Sequence, residues 1–235
     1  MPHPVIALVL SMTSTLGAAP STGLSVRYEP AGSPQAEQAR ELLKDSDVLK
    51  TRIRLPEPVK VVARDCDSPT ATWDRAEREI TICYSLVDKV RRTMEGISET
   101  EEADAKVAAT RTDGALAALF HHELGHALTT LNGMSDSDPQ ADEFAALTLP
   151  VDAPGSVVPA AEARHLLAAG HAGIDHLSGM AESATFACLL YGADPTRYDR
   201  IARGGWIPAE RVPTCVNDYN RVKSAIGSKA VKVTI

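Results

Sequence analysis

The chain has 235 residues, 44% of them hydrophobic, which is enough to bury one sizeable core. Its formal net charge of -7 argues against a surface that binds nucleic acid. No apolar stretch reaches the roughly 18 residues that a conventional transmembrane helix needs. We therefore expect one globular domain with no stable membrane span. These quantities do not predict its oligomeric state.

The first residues are typical of a secretion signal. An apolar run at residues 5–10 is followed by small residues up to Ala19, as in the hydrophobic region and cleavage site of a signal peptide. The positive charges that normally precede such a run are absent. We predict a signal peptide at residues 1–19, a linker rich in Pro, Gly, Ser and Ala at 20–34, and a single domain at 35–235. The protein would then be secreted or located in the cell envelope.

Between the linker and residue 104 the sequence predicts two helices and a small sheet. Pro34 favours a helix start, and β-branched residues on either side of a polar turn favour two strands. The charge run near the end of this region is more typical of a solvated loop than of a binding site. In chain order, the predicted segments are helix 34–49, strand 59–64, polar turn 67–78, strand 79–83, helix 84–94 and acidic loop 95–104.

Residues 120–129, F-H-H-E-L-G-H-A-L-T, contain the pattern H-E-x-x-H inside an apolar, helix-forming run. On a helix, His122 and His126 lie four positions apart and project from one face, where both can bind one metal ion at about 2.0 to 2.1 Å. Glu123 lies roughly 100° round the helix from His122, beside the metal. There it can act as general base on a zinc-bound water. The pattern therefore predicts a catalytic zinc site.

The apolar setting of the pattern favours a metal site over a chance match. A helix that is apolar nearly all round is buried, and burying two histidines and a carboxylate without partners is costly. A metal ion satisfies all three groups. His121 points about 100° away from His122 and cannot join the same ligand set. Asp113 is predicted to be the N-cap of this helix, and Asn132-Gly133 its end.

A catalytic zinc usually takes three protein ligands and a water, so a third ligand must follow the helix. Asp138 and Asp142 are four apart and share one helical face. In the interpretation that we prefer, Asp138 coordinates the metal and Asp142 orients a ligating histidine. Alternatively, Asp138 is only the N-cap of a helix that starts at Pro139, or Asp142 itself is the ligand. Asp136 is expected to have no part in metal binding.

The C-terminal half of the sequence predicts helices only. Together with the small sheet, they give an α+β, mostly helical fold with the H-E-x-x-H helix at its core. A weaker site candidate is Asp175-His176, which could place a histidine near the site to hydrogen-bond a developing oxyanion. A histidine beside an aspartate is more often a surface residue with no special role. The predicted helices are at about 139–149, 157–169, 178–191, 195–203 and 208–226.

The four cysteines are not arranged as C-x-x-C, which argues against a zinc ribbon or a thioredoxin-like site. The two pairings that are local in sequence, Cys66 with Cys83 and Cys188 with Cys215, would each staple a local unit. Disulfides agree with export, and we favour these two over crossed pairings because each closes a local unit. Crossed pairings remain open, as do four free thiols in a cytoplasmic protein.

The sequence also resembles a known family. H-H-E-L-G-H-A-L at residues 121–128, followed by A-D-E-F-A-A-L-T-L-P at 141–150, resembles bacterial metallopeptidases grouped as a domain of unknown function. Residues 80–84 and 188–195 also match that family, so the resemblance covers roughly residues 55–220. The A-D-E-F-A segment is similar, too, to that of phage-repressor-cleaving and radiation-response metallopeptidases. The resemblance implies a zincin-like fold and a gluzincin-like, zinc-dependent peptidase.

We predict a zinc metallopeptidase in which zinc-bound water, deprotonated by Glu123, attacks a peptide carbonyl polarised by the metal. His122, His126 and Asp138 are the predicted zinc ligands, and a peptide or protein is the predicted substrate. One alternative is a non-catalytic, zinc-stabilised and disulfide-stapled binding module, which would not need Glu123. Another is a zinc hydrolase that acts on a non-peptide amide.

Overall fold

The structure, a computed structural model, describes residues 23–100, 104–170, 174 and 179–229. The predicted signal peptide and Asp175-His176 lie outside these residues. The strands are β1 (Leu24–Tyr28), β2 (Val59–Arg64), β3 (Ala71–Asp74) and β4 (Glu79–Cys83). The α-helices are α1 (Pro34–Ser46), α2 (Tyr84–Thr100), α3 (Ala105–Leu131), α4 (Asp138–Asp152), α5 (Val157–Ala169), α6 (Met180–Ala193), α7 (Asp199–Arg203) and α8 (Cys215–Lys229). The predicted α+β, mostly helical fold class is confirmed.

The four strands form one mixed sheet in the order β1-β2-β4-β3. β1, β2 and β4 run parallel, whereas β3 pairs antiparallel with β4 at the edge. The predicted linker at 20–34 is wrong over residues 24–28, because L-S-V-R-Y alternates half-buried apolar with exposed polar residues and forms β1. The predicted polar turn at 67–78 likewise contains β3, whose Trp73 donates a hydrogen bond to Thr130 of α3 at 2.9 Å.

Helix α2 is longer than predicted and includes part of the expected acidic loop. Arg91 donates to Glu95, four residues further along the helix, at 2.8 Å, a spacing that stabilises helices. Ser98 is buried and accepts a hydrogen bond from Arg111 of α3 at 3.2 Å. The prediction of a loop at 95–104 is therefore wrong for its first part, because one face of the acidic run packs on α3.

Helix α3 begins earlier than predicted. Its N-cap is Asp104, whose carboxylate accepts a hydrogen bond from the backbone N–H of Val107 at 2.9 Å. The predicted cap, Asp113, lies inside the helix. Both aspartates precede helix-forming residues, so a capping signal alone cannot show which of the two begins the helix. The predicted end is confirmed, since Asn132 is the C-cap and Gly133 has a φ of 68°.

The helices that follow agree with the predictions to different degrees. Those predicted at 139–149, 157–169 and 178–191 are present as α4, α5 and α6. The predicted helix at 195–203 is shorter and forms only α7. The one predicted at 208–226 starts late, because a 3-10 turn at Val212–Thr214, which contains a proline, precedes α8.

Both predicted disulfides are present. Cys66–Cys83 joins the segment after β2 to the end of β4, and Cys188–Cys215 joins α6 to the start of α8. Helix α3 contacts α2, α4, α5 and β3, and most of its residues after position 110 are buried. Within the described residues, no helix has both the length and the apolar character needed to cross a bilayer.

Candidate metal centre

The two histidines of the H-E-x-x-H pattern project from α3 towards a common point. The Nε2 atoms of His122 and His126 are 3.1 Å apart, and their rings meet edge to face with centroids 4.7 Å apart. The side chain of His122 is 0% exposed, whereas that of His126 is 12% exposed. One histidine therefore lies inside the protein and the other lies at its border with solvent.

Gly125, between the two histidines, allows α4 to come against α3. A Cβ atom at this position would lie 2.2 Å from the backbone oxygen of Ala141 in α4. Any other residue would therefore push the two helices apart. The close approach brings the first turns of α4, with Asp138 and Asp142 on one face, beside the histidines.

Asp138 lies on the Nε2 side of the histidines. Its Oδ1 atom is 3.4 Å from Nε2 of His126, and potential ligand atoms of Asp138, His122 and His126 all lie within 4.8 Å of one another. The N-cap of α4 is Ser137, and Asp138 is the first helical residue, so the alternative of Asp138 as a mere N-cap is not what the structure has. The three predicted ligands are brought together, and their role as ligands stays a prediction.

Asp142 lies on the opposite, Nδ1 side of His122. Its Oδ1 accepts a hydrogen bond from His122 Nδ1 at 2.8 Å, and both of its oxygens accept from Arg164 of α5, at 2.6 and 2.5 Å. Burial raises the pKa of Asp142, but the hydrogen bond from His122 and the charge of Arg164 outweigh burial and hold the pKa below its usual value. This position favours the orienting role for Asp142 over the alternative of a ligand.

His126 has a carboxylate partner as well, and it is Asp136. The Nδ1 atom of His126 is 2.6 Å from Oδ1 of Asp136, in the segment before α4. The same oxygen accepts a hydrogen bond from the hydroxyl of Thr129 at 3.2 Å. Asp136, which we expect to have no part in metal binding, therefore contacts a predicted ligand, because the chain turns back and places it beside His126. The only sequence signal for this contact is that Asp136 follows His126 by ten residues, just after the helix ends.

The side-chain atoms that face each other at this site fit the ligands of a zinc ion. A carboxylate only accepts hydrogen bonds, so Nδ1 of each histidine donates, and in a neutral imidazole Nε2 then presents a lone pair. Two Nε2 atoms that face each other across 3.1 Å can share one cation between them. Tetrahedral zinc with its usual zinc–nitrogen distances separates two nitrogens by about 3.3 Å. Two imidazoles and one carboxylate are also a usual protein ligand set for a catalytic zinc.

Glu123 and His121 are both buried next to His122 in the sequence, but their surroundings differ. His121 Nδ1 is 2.9 Å from the hydroxyl of Thr148 in α4, and burial lowers the pKa of His121 to about 3. It is neutral, and among the described residues it is not part of the group whose potential ligand atoms lie together, as the helical geometry predicts. Glu123 lies on the histidine face of α3, where a carboxylate can act as a base.

Arg164 is the residue of this site that the sequence interpretation missed. It is a single arginine in the alanine-rich helix α5, V-V-P-A-A-E-A-R-H-L-L-A-A, and it is buried. A buried arginine needs an anionic partner. That rule could have paired it with a buried acid in the sequence, but it could not have chosen Asp142 among the candidates.

A large cleft of about 1180 Å³ lies elsewhere, between α1, α2 and the first turns of α3. It is lined by several carboxylates, and it shares no residue with the histidine site. The cleft is therefore separate from the candidate metal centre.

The sequence model of a family described as "Putative metallopeptidase" matches residues 28–226, which is most of the chain. Neither a search of curated proteins nor a search of solved structures found a match.

Proposed function

The chain belongs to the DUF4344 family, described as "Putative metallopeptidase", and on this premise we propose that it is a zinc-dependent peptidase that hydrolyses peptide bonds. One observation carries the proposal: the Nε2 atoms of His122 and His126 face each other at 3.1 Å, with Asp138 close by. Two imidazole nitrogens and a carboxylate oxygen grouped in this way are the ligand atoms that a zinc ion binds.

His122, His126 and Asp138 would hold the zinc ion. When bound, zinc supplies a Lewis acid that activates a water molecule and polarises the carbonyl of the scissile bond. Glu123 accepts the proton of the attacking water and returns it to the amine that leaves, so the peptide bond breaks and one water is consumed. Asp142 and Asp136 hold the two imidazoles with their Nε2 lone pairs towards the ion.

Two disulfides indicate an oxidising environment, since such bonds are rare in proteins kept in reducing compartments. We therefore propose that the protein acts outside the cytoplasm, as a secreted or cell-envelope enzyme. Its substrate would be a peptide or protein found in the same compartment.

The test measures metal content and cleavage on the full chain, purified without chelators. Elemental analysis should find one zinc ion per wild-type chain and none in His126→Ala. Glu123→Gln should keep the zinc and the fold but lose cleavage of a peptide library, because an amide cannot accept the proton of water. Asp113→Asn is the matched control, since it neutralises the other carboxylate within α3, about 15 Å along the helix.

The results separate the alternatives. A wild-type protein without zinc would overturn the proposal. Cleavage by Glu123→Gln at the wild-type rate would remove Glu123 from the mechanism. A zinc-loaded protein that cleaves no peptide would favour either the non-catalytic binding module or a hydrolase of non-peptide amides.

A further inference from the structure

Four consecutive helices each contribute one side chain to a chain of contacts that ends at the metal centre. Phe186 of α6 lies against Arg164 of α5, with the guanidinium carbon 4.7 Å from the ring centroid. Arg164 contacts Asp142 of α4, and Asp142 contacts His122 of α3. All four residues are buried. Two helices, α4 and α5, thus lie between Phe186 and the histidine in this chain of contacts.

Arg164 holds the Asp142 carboxylate at two points. Its two terminal nitrogens donate to the two oxygens, and a planar guanidinium that binds both oxygens fixes the plane as well as the position of the carboxylate. The ring of Phe186 lies against the same guanidinium, an additional favourable contact. With 2% of its side chain exposed, Arg164 has little room to move.

This arrangement determines which ring nitrogen of His122 donates to Asp142. Arginine only donates hydrogen bonds and stays protonated, so Asp142 is the acceptor in each of its contacts. Oδ1 of Asp142 therefore accepts from His122 Nδ1, which leaves the Nε2 lone pair on the side of His126 and Asp138. We propose that Arg164 is a positioning residue of the metal centre, whose two-point contact with Asp142 fixes the orientation and tautomer of His122. The inference rests on the proposed function, because it assumes a metal at Nε2.

A buried arginine could instead serve only to join helices, and Arg111 is a second buried arginine, among the described residues, that joins helices. Arg111 of α3, with 10% of its side chain exposed, donates to Glu162 of α5 at 3.1 and 2.9 Å. It also donates to Ser98 of α2. None of these partners contacts His122 or His126 in the hydrogen bonds of the described residues. Arg111 is thus a matched control for the loss of a buried ion pair.

The experiment compares Arg164→Met with Arg111→Met in the full chain. In metal-free protein with ¹⁵N-labelled histidine, NMR of the imidazole nitrogens should show a single tautomer of His122, protonated at Nδ1, in the wild type and in Arg111→Met. Arg164→Met should show a mixture of tautomers. Zinc affinity, measured against a competing chelator and corrected for the folded fraction, should fall about 10- to 100-fold in Arg164→Met and stay unchanged in Arg111→Met.

Arg164→Lys keeps the experiment decisive if Arg164→Met does not fold. Lysine keeps the charge but provides a point contact instead of a planar fork. We expect this variant to fold, to lose about 10-fold in zinc affinity and to show the mixed tautomer. A single Nδ1-protonated tautomer with wild-type zinc affinity in the Arg164 variants would overturn the inference. Absence of zinc binding in the wild type would overturn the proposed function instead, and the tautomer comparison in metal-free protein would still decide the role of Arg164.

Discussion

The two histidines of one motif are supported in opposite ways. His122 is enclosed, and its carboxylate partner Asp142 is buried and paired with an arginine. His126 borders solvent, and its partner Asp136 has 44% of its side chain exposed. Asp138, the predicted third ligand, has 58% of its side chain exposed on the same side. The comparison shows that a motif that looks symmetrical in sequence can have one half fixed by the core and another half open to solvent.

The difference in burial affects both the stability of the fold and the exposure of the predicted metal position. Interactions of the buried half act in a low dielectric, so they are strong, and removing one partner leaves a charge without compensation. Interactions of the exposed half are screened by water and contribute little to folding. The open half is also the more exposed side of the predicted metal position. Substitutions in the two halves should therefore separate metal binding from stability.

The largest effect on metal binding is expected from Asp138→Ala, in the open half. The loss of a ligand leaves two histidines, and zinc affinity should fall by more than about 100-fold, beyond the range for partners that only orient a ligand. The free energy of unfolding of the metal-free protein should change by no more than about 1 kcal/mol, since the Asp138 side chain is mostly exposed and its contacts are screened by water. Chelator competition and denaturant titration measure the two quantities. Full zinc affinity here, with a loss in Asp142→Ala, would give the ligand role to Asp142.

Asp142→Ala, in the enclosed half, should reduce both quantities. Removal of one member of a buried ion pair destabilises a protein by about 3–5 kcal/mol, because Arg164 is left without its counter-ion. Zinc affinity should fall towards the upper end of the 10- to 100-fold range typical of orienting carboxylates. The same titrations apply. A destabilisation smaller than about 1 kcal/mol would mean that the two halves do not differ in the way described.

The smallest effect is expected from Asp136→Ala. Its carboxylate orients His126, so zinc affinity should fall about 10-fold, at the lower end of the same range. Because the side chain is partly exposed, the free energy of unfolding should stay within about 1 kcal/mol of the wild type. A loss of zinc affinity larger than that of Asp142→Ala would reverse the comparison.

Much of the fold could be predicted because its signals are local. Helical periodicity located most helices, and the local cysteine pairings are those of the structure. The predictions went wrong where composition conflicted with packing. The strand at Leu24–Tyr28 was hidden in a segment that has the composition of a linker, and part of the acidic run was stabilised as helix by contacts with α3. Such contacts join residues far apart in the chain, which periodicity cannot detect.

In the candidate site, too, the features that local spacing sets could be predicted, whereas those set by helix packing could not. The placement of His122 and His126 on one helical face follows from their spacing, and Asp138 was chosen because a third ligand was needed. The partners of the histidines depend on how α4 and α5 pack on α3. For this reason the sequence pattern reveals neither the contact of Asp136 with His126 nor that of Arg164 with Asp142.

The close approach at Gly125 has a meaning for protein design. A designer who transfers the site to a new helical hairpin would copy H-E-x-x-H and two aspartates, and would fill the middle positions with good helix formers such as alanine. Here an added Cβ would meet the backbone of Ala141 at 2.2 Å, so that choice would widen the gap between the helices. The histidines would be present, but the second helix would carry its aspartates too far away to reach them. The glycine is therefore part of the specification of the site, although it binds nothing.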